Sequence, residues 1–101
     1  MYAAIRRVRV QPGAAEEVIQ LDESGLVPIL SSAPGFIEFT LVQVGEDTGV
    51  SITIFETQEQ ADEANRMAAD WLKQHIVPLV AGPPEIVAVG EVRLRKRKDA
   101  E

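Results

Sequence analysis

The chain has 101 residues, 46% of them hydrophobic and 26% charged, with a formal net charge of −6 and no cysteine. That size fits one domain with a modest core and excludes intrinsic disorder. The missing thiols exclude a disulfide framework, a thiolate nucleophile and a cysteine-bound metal.

The charge is unevenly placed. Residues 1–92 carry 14 acids and 5 bases, whereas Arg93–Glu101 carries 5 bases and 2 acids. An acidic body argues against nucleic-acid binding. The basic end reads as a solvated tail over residues 96–101, following a single domain over residues 1–95, and could meet an anionic partner. No apolar run approaches the ~18–20 residues a spanning helix needs. MYAAIRRVRV lacks the uninterrupted apolar stretch of a signal peptide. The expectation is a cytoplasmic protein with no membrane partner.

Tyr2 to Val10 reads as a strand, with β-branched Ile5, Val8 and Val10 among arginines, and Gln11-Pro12-Gly13 ends it. Ala14 to Leu30 reads as a helix with Ala15, Val18, Ile19, Leu26, Ile29 and Leu30 along its stripe. Gly25 and Pro28 predict a kink or break near Ser24 and a second helical piece from Leu26. The acid pairs Glu16-Glu17, Asp22-Glu23 and Asp62-Glu63 are adjacent in helices, so they diverge and suit a solvated face.

Ala33-Pro34-Gly35 reads as a turn, Phe36 to Val44 and Val50 to Glu56 as strands, and Gly45–Gly49 as the hairpin loop between them. Thr57-Gln58-Glu59-Gln60 has the form of a capping box. The helix it opens carries Ala61, Ala64, Ala68, Trp71, Leu72, His75 and Leu79 on its apolar face. Pro78 kinks or divides its end, and Gly82-Pro83-Pro84 stops it. Glu85 to Arg95 reads as a last, valine-rich strand.

The order βαββαβ predicts an α+β, ferredoxin-like fold: an antiparallel sheet with both helices on one face. In Phe36–Val44 both faces are apolar, yet helices cover only one. A bare apolar face is usually an interface. Burying about 800 Å² of it per subunit is worth on the order of 12 kcal/mol before association costs. The expectation is a homodimer built sheet to sheet.

Pro34-Gly35-Phe36, the strand-to-capped-helix run SITIFETQEQADEA at Ser51–Ala64, and the closing PPEIVAVGEVRL carry a resemblance. On them the chain resembles the antibiotic biosynthesis monooxygenase-like (ABM) group of dimeric α/β-barrel proteins. The resemblance implies subunits paired through their sheets and a cavity between helices and sheet in each. It implies a cofactor-independent monooxygenase acting on a small aromatic or polyketide-like molecule. The alternative is a non-catalytic dimeric module that binds a small ligand or serves as an accessory protein.

Relatives of the group degrade haem with an asparagine on the first strand, a tryptophan on the second helix and a histidine beyond it. Trp71 matches the tryptophan; Arg6 stands near the asparagine position and Ala81 near the histidine position. For cofactor-free oxidation the candidate catalytic residues are Trp71 as pocket wall and donor, His75 as proton acceptor and Arg6 or Arg7 as anion stabiliser, with Asn65 as a further donor. Trp71, Phe36, Met67 and Tyr2 would contact the ligand. Asn65 falls about 120° from Trp71 around a helix at ~100° per residue, which separates the two. Trp71 and His75 also read as ordinary core, and Met67 as gap-filling core. One histidine is too few for the usual zinc sites, so no metal is expected, and the chemistry that the resemblance implies uses no cofactor.

Overall fold

A computed structural model describes residues 1–98; Asp99–Glu101 of the expected tail lie outside the described residues. The elements run β1 (Tyr2–Arg9), α1 (Ala15–Leu21), a π-helical turn (Asp22–Leu26), α2 (Val27–Ser32), β2 (Phe36–Val44), β3 (Thr48–Phe55), α3 (Gln58–His75), a 3-10 turn (Val77–Leu79) and β4 (Glu85–Glu91). The four strands form one antiparallel sheet in the order β2-β3-β1-β4. This is the ferredoxin-like arrangement. No described helix is long and apolar enough to cross a membrane.

The expected break near Ser24 is a widened turn inside one continuous helical run. Val27 N–H bonds back to Asp22 O, a five-residue spacing in place of four. The Ser24 hydroxyl donates to the Gln20 carbonyl at 3.0 Å, competing for an acceptor of the regular helical ladder. Gly25 is packed so closely on Trp71 that a Cβ there would overlap the indole ring. The turn has a geometric consequence. Val18, Asp22, Leu26 and Leu30, spaced by four, are all buried. At ~3.6 residues per turn, twelve residues of plain α-helix would drift roughly 120° off one face. The extra residue of the π turn absorbs most of that drift. Asp22, expected on a solvated face, lies one α-helical turn after Val18 and is buried on the same stripe, and the π turn keeps Leu26 and Leu30 in line with it.

Gly35 sits at φ +82°, and a Cβ there would strike the Gln60 side chain. Thr57 caps α3, its Oγ1 accepting from Gln60 N–H at 3.1 Å. The return half of the capping box is not made, because the Gln60 side chain turns toward Gly35 and its Oε1 finds no partner. The hairpin loop is shorter than expected, because β3 begins at Thr48.

The core forms two clusters. One joins Leu26, Leu30, Ala33, Phe55, Ala61, Ala64 and Ala68; the other joins Val10, Ala14, Val18 and Ile76. On the opposite face of the sheet, cross-strand rows place Ile5 beside Ile52 and Thr40, and Val50 beside Val42 and Arg7. Among the described residues no helix covers that face, and Val42 and Val44 are exposed.

β4 ends at Glu91, four residues before the expected Arg95. Its partner β1 begins at Tyr2, opposite Glu91, so the ladder has nothing further to pair with. The chain then leaves the sheet. Val92 N–H donates to Met1 O at 2.8 Å, and Arg95 ion-pairs with Glu38 on the far edge strand β2. Residues 92–95 thus cross one end of the uncovered face, where Ile54, cross-strand neighbour of Glu38, is buried.

Candidate functional site

Strand alternation turns Gly49, Ser51 and Thr53 of β3 toward the helices, beside Leu41 and Phe39 of β2 and Val8 and Arg6 of β1. Opposite them α3 presents Asn65, Ala68, Ala69 and Leu72. Small side chains on both layers leave space unfilled. The result is a cavity of about 430 Å³ between the helices and the sheet, in the range of small-molecule sites. Members of both core clusters form its walls, including Leu26, Leu30, Val18 and Ile76.

The polar groups in these walls are few. Arg6 enters from β1, Asn65 and Lys73 from α3, Ser51 and Thr53 from β3, and Asp22 from the π turn. Asp22 is 8% exposed, its Oδ1 has no hydrogen-bond partner, and burial raises its pKa from 3.8 to about 6. Among the described residues it forms no ion pair with Arg6 or Lys73. A second, smaller cleft of about 270 Å³ lies between α3 and β4, lined by Tyr2, Asp62 and Ile86. Arg6, Thr53 and Asn65 line both spaces, so the cleft adjoins the cavity.

Of the residues expected to form the site, Arg6 lies in the cavity wall and Tyr2 in the adjoining cleft. The other four stand apart from the walls of both. The Trp71 indole packs against Gly25 and stacks on His75, with ring centroids 4.8 Å apart and planes 22° from parallel. His75 is exposed, and its Nδ1 lies 3.0 Å from the Trp71 carbonyl oxygen. A carbonyl can only accept, so Nδ1 carries the proton and donates. Phe36 packs edge-on to Phe55 at 5.7 Å, and Met67 is 43% exposed on α3. The expected turn between Asn65 and Trp71 is present, but Asn65 is the one at the cavity.

Sequence reasoning set Asn65 apart from the pocket wall and missed Asp22, and each left a signal. Asn65 lies three residues before Ala68, on the cavity side of α3. Asp22 falls on the four-residue spacing Val18-Asp22-Leu26-Leu30, where an acid among aliphatics marks an inward carboxylate.

The donor set does not suit haem ligation: no wall residue is a histidine, and His75 is held outside by Trp71. No group of three or more metal-ligating side chains occurs among the described residues.

The sequence profile of the antibiotic biosynthesis monooxygenase family matches residues 1–69, from β1 through most of α3. The chain belongs to the ABM family. Solved structures agree on the fold. A protein of unknown function from Nitrosomonas europaea superposes with a TM-score of 0.80 at 20% identity, covering 98% of this chain and 95% of that one. SnoaB, a cofactor-independent oxygenase from Streptomyces nogalater, gives 0.73 at 14% identity, covering 96% and 97%. A MhuD mutant with two manganese protoporphyrin IX molecules bound per active site gives 0.75 at 22%, covering 97% and 100%. Identities this low show a shared fold alone. No curated protein sequence matches the chain. The helix–sheet cavity joins mostly apolar walls to a few polar groups, a combination common to small-molecule sites.

Proposed function

We propose that this ABM-family protein binds a small, largely apolar aromatic or polyketide-like molecule in the helix–sheet cavity and oxidises it with molecular oxygen and no cofactor. The observation that carries the reading is the cavity itself: about 430 Å³, apolar over most of its wall, with Arg6, Asp22 and Asn65 set into it. In such chemistry the substrate supplies the electrons. Oxidation of an activated ring CH2 to C=O by one O2 releases one water, so the four electrons lost by carbon match the four gained by oxygen. The protein's part is to hold the substrate, remove a proton and stabilise the anion that meets oxygen.

In this reading Arg6 stabilises the anion, Asn65 donates a hydrogen bond and Tyr2 contacts material entering through the cleft. Trp71 acts from behind the wall, and His75 takes no direct part. Two copies pair through the sheet faces that the helices leave bare, burying Ile5, Val42, Val50 and Ile52. Exposed Val42 and Val44 and the cross-strand isoleucine and valine rows support that pairing.

The test is oxygen uptake with a panel of anthrones and hydroquinones, paired with calorimetric binding of the same compounds. Uptake of one O2 per substrate, reduced at least tenfold by Arg6→Ala, is the expected result. Binding in the cavity without uptake by any compound would favour the non-catalytic ligand-binding module. Absence of binding would remove the cavity from the account.

A further inference from the structure

Among the described residues, Asp22 is the one acidic side chain in the cavity wall. It is more than nine-tenths buried, and Oδ1 is left without a partner. Buried polar atoms in native proteins are nearly always satisfied, so one that is not asks for a reason. The local fold gives it no escape. Asp22 sits one α-helical turn after buried Val18, and the π turn that it opens is packed by the Gly25–Trp71 contact. π turns of this kind often mark functional positions.

The surroundings narrow what the carboxylate can receive. The charged groups that share the wall are Arg6 from β1 and Lys73 from α3; β2 and β3 contribute Phe39, Leu41, Gly49, Ser51 and Thr53, none of them charged. Two cations against one anion disfavour a cationic ligand. The rest of the wall is apolar enough to favour a ring system. A hydroxyl on an aromatic ring meets both conditions: it donates to the carboxylate, and the anion it leaves can be balanced by a wall cation.

We propose that Asp22 accepts the hydroxyl of a hydroxyaromatic ligand and takes its proton. This rests on the reading of the cavity as the ligand site. In the step, the ligand O–H bond breaks and the proton goes to Asp22 Oδ1. The electron pair stays on the ligand oxygen and delocalises into the ring, with Arg6 as the counter-charge. Nothing is oxidised in this step. At neutral pH the carboxyl is mostly in the form that can accept, because its pKa of about 6 lies below 7 but well above that of a solvated aspartate. Trp71 is a positioning residue, acting through Gly25 and the π turn.

The test compares 2-naphthol with 2-methoxynaphthalene by isothermal titration calorimetry at pH 5 and pH 7.5. The two probes share a ring and differ in the donor. With wild type at pH 7.5 the naphthol should bind about tenfold more tightly, the advantage of a hydrogen bond to a charged group. At pH 5, where Asp22 is protonated, the preference should shrink to about twofold. Asp22→Leu should abolish the preference at both pH values, and Asp22→Asn, which keeps the shape, should remove its pH dependence. Trp71→Phe should move the pH midpoint of the preference; an unmoved midpoint would deny Trp71 the positioning role. Equal binding of the two probes to wild type would overturn the Asp22 proposal and leave the cavity standing. Binding of neither would overturn both.

Discussion

The two sides of the contact between the π turn and α3 make opposite use of their polar groups. On one side Trp71 and His75 stack, and the histidine satisfies its Nδ1–H on a backbone carbonyl one turn back. On the other side Asp22 faces a cavity with an unmet oxygen, among Arg6, Asn65 and Lys73. Rare residues drew attention to the first side, yet its hydrogen bond is closed and its ring exposed. The second side has common residues in an uncommon state. An unsatisfied buried carboxylate is a stronger pointer to ligand chemistry than a tryptophan beside a histidine.

The contrast can be broken by mutation, and the largest effect should come from Trp71. Trp71→Ala should cost about 3 kcal/mol by chemical denaturation, near the lower end for loss of an aromatic from a packed site because the ring is only partly buried. Gly25→Ala forces a methyl into the indole and should cost about 2 kcal/mol. The double variant should be less destabilised than the sum, because removing the indole vacates the space the methyl needs. Additive costs would mean that the Gly25–Trp71 contact does not shape the π turn.

Asp22 should act in the opposite direction. Its folded-state pKa is raised to about 6 from 3.8, so ionising it penalises the native state. Any stability the protonated group confers is complete below about pH 3.8 and is lost as pH rises through about 6. Asp22→Asn should therefore stabilise the protein at pH 7 by about 1–2 kcal/mol, less than the full shift implies once residual solvent screening is allowed for. The gain should vanish by pH 3.5. Urea midpoints across pH 3.5–7.5 check this. A variant less stable than wild type at pH 7 would show that the carboxylate is satisfied. A residue that destabilises its own fold is what a preorganised site leads one to expect. The smallest effect should be at His75, where His75→Ala should change stability by under ~0.5 kcal/mol and leave ligand affinity within twofold, as expected for an exposed side chain.

Much of the fold was legible in the sequence, for reasons the structure makes plain. β2 runs from Phe36 to Val44 as its turn residues imply, and Thr57 caps α3. The break near Ser24 was readable from Gly25 and Pro28, but its form was not. Pairing Asp22 with its neighbour Glu23 sent it to solvent, whereas its position one α-helical turn after Val18 puts it on the apolar stripe. The end of β4 was hidden because the valine pattern continues past Glu91 while the partner strand does not. Arg6 was legible as a cation interrupting an apolar strand. The cavity was not, since it arises from two small-residue faces, Gly49-Ser51-Thr53 and Ala68-Ala69, that meet only in three dimensions.

The most direct test of the central claim is an intermolecular NOE experiment on methyl-labelled protein with bound 2-naphthol. The account predicts contacts from the naphthalene protons to the methyl groups of Val8, Leu41 and Ile76, which line the cavity. Contacts to the His75 ring, or to Val42 and Val50 on the uncovered sheet face, would place the ligand elsewhere and contradict it.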